Sequence, residues 1–332
     1  VPRLIPFLVL AALPLLGQSK KIVVQGLSAS EVRELQQSAP TGVTIVSVTN
    51  DRLPAEIKDA DGIIGAVNAQ LIRSAPKLKW IQTHSAGVDG MRFPELINSD
   101  ITLTNAKIVM GPNIADHAFA LLLSLTRQIN VAYADKTKQQ WDRSRHHPVE
   151  LSGKTAVIIG AGGIGMQIAQ RARGFGMSVI GVDPKDISYT PLLDQVVRPD
   201  QLDEVLPRAD VVFVSAPLTP QSEHMVGQRQ FDLMKKGAYF VAVSRGKLYD
   251  TPALVKALDS GKLGGAGLDV TDPEPLPPGH PLWQFENTII TPHSAGQSDL
   301  MPGRRMELFK ENIRRFAEGK PMLNVVDKQK GY

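Results

Sequence analysis

The chain has 332 residues, 42% of them hydrophobic and 21% charged, which suits two globular domains, each with its own core. The net charge of +4 comes from Lys and Arg scattered among acids, with no basic stripe interleaved with aromatics, so nucleic-acid binding has little support. Cysteine is absent, which removes disulfides, thiolate metal sites and cysteine nucleophiles together.

Residues 1–19, VPRLIPFLVLAALPLLGQS, stand apart from the pattern that follows. Arg3 precedes an apolar run from Leu4 to Leu16 that is too short to span a membrane comfortably. With Pro14 and the small-x-small site Gly17-Gln18-Ser19, the segment reads as an export signal cleaved after Ser19, leaving no stable membrane span. The alternative is an upstream extension from a wrongly chosen start, because only one positive charge precedes the run and Lys20-Lys21 would follow the cut. The protein is exported or periplasmic on the first reading and cytoplasmic on the second. Amino-terminal sequencing of the native protein separates them.

From Lys21 short apolar runs alternate with helical stretches. Ile22-Val23-Val24 reads as a strand, and Ser28 with Glu31 makes a capping box before Val32 and Leu35. Strands are expected at Val43–Val48, Gly62–Ala66, Lys79–Thr83 and Ile101–Thr104. Five strands with intervening helices make a small doubly wound domain. Ser85-Ala86-Gly87-Val88-Asp89 follows the fourth strand, at the edge where such sheets bind ligands. It reads either as a loop offering N–H groups to an anion or as a plain turn. Gly111-Pro112-Asn113 opens a long helix, with Asn113 as its cap and residues 114–125 apolar nearly all round, so it is buried in a core or between subunits. His117 on that helix reads as a satisfied core histidine. The polar run Asp135–Glu150 reads as a solvated connection; no carboxylate or third histidine stands at metal-ligand spacing from His146-His147, and no metal site is expected.

The organising stretch is Thr155 to Asp183. Ala156-Val157-Ile158-Ile159 reads as a buried parallel strand, followed by Gly160, Gly162 and Gly165 as G-x-G-x-x-G. Ile164, Ile168, Ala169, Ala172 and Phe175 recur at helical spacing, and Ser178–Val182 ends on Asp183. Gly160 permits the tight turn, Gly162 lets backbone amides approach a pyrophosphate, and Gly165 lets the helix pack close to the sheet. Asp183, 23 residues after Gly160, stands where a carboxylate accepts hydrogen bonds from an adenosine ribose. Further strands are expected at Val211–Val214, Ala238–Val243, Gly265–Val270 and Thr288–Ile290, completing a larger doubly wound sheet. Phe309, Ile313 and Phe316 line one face of a final helix that Gly319 can terminate.

Three segments at strand ends hold the reactive side chains: Val243-Ser244-Arg245-Gly246, Leu268–Pro275 with Glu274, and Thr291–Gly296 with His293. Singly each has a bland account, as a surface ion pair, a loop acid and a cap. Together, Arg, Glu and His follow successive strands on one ligand-binding edge, which favours a shared site.

The chain resembles the D-isomer-specific 2-hydroxyacid dehydrogenases from about Lys21 to Val326. The segments that carry the likeness are KWIQTHSAGVD, GPNIADHAFALLL, TAVIIGAGGIG, SAPLTP, MKKGAYFVAVSRG, GGAGLDVTDPEP and PLWQFENTIITPH. The resemblance implies an α/β protein of two doubly wound parallel-sheet domains. A Rossmann dinucleotide-binding domain, residues 109–296, is inserted into a smaller flavodoxin-like substrate domain formed by 20–108 and 297–332. It further implies that Arg245 holds and polarises a 2-oxo acid, that His293 exchanges a proton with the substrate oxygen, and that Glu274 hydrogen-bonds His293. The backbone of Ser85, Ala86 and Gly87 would hold the substrate carboxylate. The cofactor would touch Gly160, Gly162, Gly163, Ile164, Gly165, Asp183, Ala216, Pro217, Val243, Arg245, Asp269 and His293. The chemistry fits: a ketone taking hydride develops alkoxide charge, which a proton donor and a guanidinium stabilise, while a carboxylate stabilises the imidazolium. Asp183 argues for NAD, because a carboxylate repels a 2′-phosphate, whereas Lys185 would accommodate NADP.

The family often has Asn where Ala242 stands, and nothing in the sequence fixes a role for His84. Formate dehydrogenases of the same fold carry Gln in place of the acid, and here Glu274 is present. The expected activity is an NAD-linked reduction of small 2-oxo acids by a homodimer. The alternative is an NAD(H)-sensing interaction protein, since the family includes corepressors on this scaffold.

Overall fold

A computed structural model describes residues 19–332, so the leader reading for residues 1–18 lies outside the described residues. The amino-terminal sheet contains β1 (Lys20–Gln25), β2 (Val43–Val48), β3 (Gly62–Ile64), β4 (Trp80–Gln82) and β5 (Thr102–Thr104). All pair parallel in the order β2-β1-β3-β4-β5. All five fall on the expected apolar runs: β1 extends beyond its run, β2 matches it, and β3, β4 and β5 are one or two residues shorter. The capping box is present at Ser28 and Glu31, starting the helix Ala29–Ser38.

The second sheet contains β6 (Thr155–Ile159), β7 (Ser178–Val182), β8 (Gln195–Val197), β9 (Val211–Val214), β10 (Ala238–Ala242), β11 (Leu263–Leu268) and β12 (Thr288–Ile290). Its order is β12-β11-β10-β9-β6-β7-β8, so the chain reverses direction between β6 and β9. In an open parallel sheet that reversal opens a crevice at the carboxyl ends of the two strands. β8 was not anticipated; two of its three residues are exposed, so it lacks the apolar signature of a central strand.

The long helix spans Gly111–Thr126. Ile114, Ala118, Phe119, Leu121 and Leu122 pack into the same core as Ile158, Phe213 and Val241, so its own domain absorbs most of its apolar surface. Asn113 does not cap it: Met110 occupies the cap position, and Pro112 lies in the first turn. The Asn113 amide instead donates to the Ala295 carbonyl at 2.8 Å and its oxygen accepts from Arg304 at 2.9 Å. The connection from Asp135 to Glu150 is largely exposed, as its composition implies, with Asp135 itself the exception. Helix Ile129–Thr137 runs into it and buries Asp135, whose carboxylate pairs with Arg145.

The final helix, Met301–Glu318, ends on Gly319 at φ 67°. Its Met306, Phe309 and Ile313 pack with Ile22, Val24 and Trp80 against the five-stranded sheet. Buried Asn312 fixes this closure, donating to Gln82 Oε1 at 2.9 Å and accepting from the Leu323 amide at 2.7 Å. The chain therefore leaves the smaller sheet after β5 and returns to it at the end. No helix among the described residues is long and apolar enough to cross a membrane.

Candidate active site

The glycine loop closes the crevice at the sheet reversal. Gly160 has φ 91°, and a Cβ there would lie 2.5 Å from the Ala216 amide nitrogen, so the loops after β6 and β9 touch backbone to backbone. A Cβ on Gly165 would stand 2.0 Å from the Gly160 carbonyl, which fixes how closely helix Gly163–Gly174 approaches β6. Around Gly162 there is open space, and no side chain caps that helix. Its first amides, on Gly163, Ile164 and Gly165, are thus available to an anion. Asp183 follows β7 nearly buried; its carboxylate accepts from the Ala161 amide at 3.0 Å and the Lys185 amide at 2.9 Å. Each oxygen keeps acceptor capacity beyond those bonds. The Lys185 ammonium lies over the Tyr332 ring, 4.3 Å from its centroid. Buried Ala216 and exposed Pro217 follow β9, and buried Val243 follows β10, completing a cradle whose open helix N-terminus and Asp183 carboxylate fit a dinucleotide.

On the same edge, Arg245, Glu274 and His293 follow β10, β11 and β12, which are paired neighbours. His293 Nδ1 is 2.6 Å from Glu274 Oε1, with both side chains 41% exposed. Among the described residues Nε2 has no partner and is free for a ligand. His293 has φ 52°, unusual for a non-glycine residue. Asp269 holds this turn. Its carbonyl accepts from the His293 amide, its Oδ1 from the Ser294 amide and its Oδ2 from the Ala295 amide, each at 2.9 Å. The Asp269 carboxylate is almost wholly buried and also accepts from Thr291 Oγ1 at 2.6 Å. His117 Nε2 is 2.8 Å from that hydroxyl, so this histidine is a bonded partner of the turn. The sequence singled out Asp269 but gave no sign of its link to His117 through Thr291.

Across the cleft, Ser85-Ala86-Gly87 is tied down through its carbonyls. Ser85 O accepts from the Ala106 amide at 2.9 Å, Ala86 O from Asn105 Nδ2 at 2.6 Å, and Gly87 O from Ser85 Oγ at 2.8 Å. The three amides donate to nothing among the described residues, which leaves them available to an anion. Arg245 reaches this loop: a Cβ on Gly87 would fall 1.9 Å from Arg245 Nη2. Arg245 also pairs with Asp89, a contact that sequence reading missed. Behind the loop, His84 Nε2 lies 2.8 Å from Gln25 O and the ring packs edge-on to Phe309 at 5.5 Å. Burial pushes the pKa of this imidazole below its ordinary value. No three or more His, Asp or Glu residues cluster for a metal ion among the described residues.

Fold and cleft together define the class, a two-domain protein with a dinucleotide cradle and an Arg, Glu and His cluster on one sheet edge, faced by the Ser85–Gly87 loop. A family profile described as D-isomer specific 2-hydroxyacid dehydrogenase, NAD binding domain, matches residues 119–295. The chain is 34% identical over 315 residues to D-3-phosphoglycerate dehydrogenase of Methanocaldococcus jannaschii, spanning 93% of this chain but only 59% of that one. It is 33% identical over 290 residues to glyoxylate reductase of Korarchaeum cryptofilum, spanning 82% of this chain and 84% of that one. A solved NADPH-dependent glyoxylate/hydroxypyruvate reductase of Sinorhizobium meliloti, in complex with NADP and sulfate, matches with TM-score 0.81 and 26% identity, covering 94% of this chain and 100% of that one. This chain belongs to the D-isomer specific 2-hydroxyacid dehydrogenase family and carries its NAD-binding domain.

Proposed function

We propose that this protein is an NAD(H)-dependent reductase of small 2-oxo acids to D-2-hydroxy acids, with glyoxylate and hydroxypyruvate as leading substrates. The observation that carries this reading is the set of unpartnered Ser85–Gly87 amides beside Arg245, on the cleft that also holds the His293–Glu274 pair. The amides would bind the substrate carboxylate while Arg245 holds and polarises the 2-oxo group. The glycine loop and Asp183 would hold NADH, whose chemistry when bound would be to donate a hydride. His293 Nε2 gives the oxygen its proton, and Glu274 on Nδ1 fixes the ring and stabilises its positive charge. In this reading the substrate domain comprises residues 20–108 and 297–332, and the NAD domain 109–296.

Cofactor choice follows from Asp183 and Lys185. A carboxylate at the ribose position repels a 2′-phosphate, and the lysine that would offset it is engaged by Tyr332. NADH is therefore expected to bind more tightly than NADPH, although the Sinorhizobium meliloti enzyme holds NADP. A panel of 2-oxo acids with both cofactors, read by reduced-nicotinamide absorbance, tests both claims. Equal affinity for NADPH would overturn the Asp183 argument. Tight NADH binding without turnover of any 2-oxo acid would favour the sensing alternative.

We also propose a homodimer. The apolar long helix no longer motivates it, being largely absorbed by its own core. Its support is the family likeness together with Ile129, Tyr133 and Trp141 just beyond that helix, which are 55%, 65% and 90% exposed. Light scattering at micromolar concentration should give twice the chain mass. A monomer there would sink the proposal.

A further inference from the structure

The pairing of Arg245 with Asp89 joins the two sides of the cleft. Arg245 follows β10 of the larger sheet, whereas Asp89 ends the Ser85–Asp89 segment after β4 of the smaller one. Asp89 Oδ1 is 3.1 Å from Arg245 Nε and 3.0 Å from Nη2, so one carboxylate oxygen occupies the side edge of the guanidinium. Arg245 Nη1 donates to the Ser244 carbonyl at 2.7 Å. A guanidinium carries five N–H groups in a fixed plane. Asp89 takes the one on Nε and stands beside Nη2, and Ser244 takes one on Nη1. At least one N–H remains on each terminal nitrogen, all in the guanidinium plane.

We infer that Asp89 is a positioning residue. It holds Arg245 by its side edge from across the cleft and leaves the terminal N–H groups to receive the two adjacent oxygens of a 2-oxo acid. A guanidinium held only by its own neighbour's carbonyl would rotate about its last torsions, and the pair of remaining donors would lose its aim. The Gly87 backbone limits the same rotation, because nothing larger than hydrogen fits between it and Nη2. Asp89 also neutralises part of the Arg245 charge. Removing it therefore frees a stronger but misaligned cation, so the loss falls on turnover more than on ground-state affinity for an anion.

This inference rests on the reductase reading, and the experiment keeps the two apart. Asp89→Asn and Asp89→Ala are compared with the wild type for kcat and KM toward glyoxylate with saturating NADH. Oxalate is titrated into each NADH-loaded protein as a non-reacting probe, followed by cofactor fluorescence. The expected result is a fall in kcat of about tenfold or more for Asp89→Ala, a smaller fall for Asp89→Asn, and oxalate affinity that is kept or tightened. A change in folding alone would not lower kcat while oxalate still binds. If the variants keep kcat within about twofold, Asp89 does not aim Arg245 and the inference is wrong. The same holds if kcat rises as oxalate tightens, since Asp89 would then be a competitor for the fork. Failure of the wild type on every 2-oxo acid would instead sink the reductase reading. In that case there would be no turnover for Asp89 to support, and the inference would fall together with that reading.

Discussion

His293→Ala should lower turnover of 2-oxo acids by about 10²–10⁴-fold, the usual range for a removed general acid, while NADH binding stays within about twofold. The separation follows from position. His293 sits on a turn held by Asp269, and the glycine cradle is built from other loops, so deleting the imidazole leaves Gly160, Gly165 and Asp183 in place. Turnover within tenfold of the wild type would remove His293 from the mechanism. Glu274→Gln is the gentler companion. It keeps an acceptor at the 2.6 Å contact but withdraws the negative charge beside the imidazolium. A fall in kcat of about tenfold or less is expected, smaller than for His293→Ala, because both side chains are 41% exposed and water screens the pair. An unchanged kcat would mean that Glu274 does not assist His293.

Much of this site was legible in the sequence because its constraints are local. Gly160 and Gly165 are required by backbone contacts within a few residues or at the next strand, and G-x-G-x-x-G after an apolar run announces them. Arg245, Glu274 and His293 each follow an apolar run, and parallel pairing of those runs puts them on one edge. What was not legible depends on distance along the chain. Asp89 meets Arg245 across 156 residues, and no spacing rule connects them. Asn113 looks like a cap, yet its amide is drawn to Ala295 by the turn after His293, 182 residues away. β8 and the burial of Asp135 failed for another reason. An exposed three-residue edge strand and a polar helix carry little hydrophobic periodicity, so tertiary pairing alone decides them.

Arg245→Ala should be the most damaging change to kcat/KM, with a fall of about 10³-fold or more, because the guanidinium would bind both the ground state and the developing alkoxide. Arg245→Lys makes the sharper test. Lysine keeps the positive charge and can still pair with Asp89, so an account based on charge alone expects near-complete rescue. The geometry denies it. Asp89 sits on the side edge, accepting from Nε at 3.1 Å and lying 3.0 Å from Nη2, Ser244 accepts from Nη1, and only the planar guanidinium still has a free donor on each of two terminal nitrogens. An ammonium tethered to Asp89 has no second nitrogen to offer, so it can meet one oxygen of a 2-oxo acid well but not two in one plane. Arg245→Lys should therefore recover substrate binding better than turnover, leaving kcat reduced at least tenfold. Melting temperatures close to wild type are expected for both variants, since the Arg245 side chain is partly exposed and lies outside the hydrophobic cores. Lysine restoring kcat to within about twofold of the wild type would show that Arg245 acts through charge alone, and the two-donor recognition of the substrate would have to be abandoned.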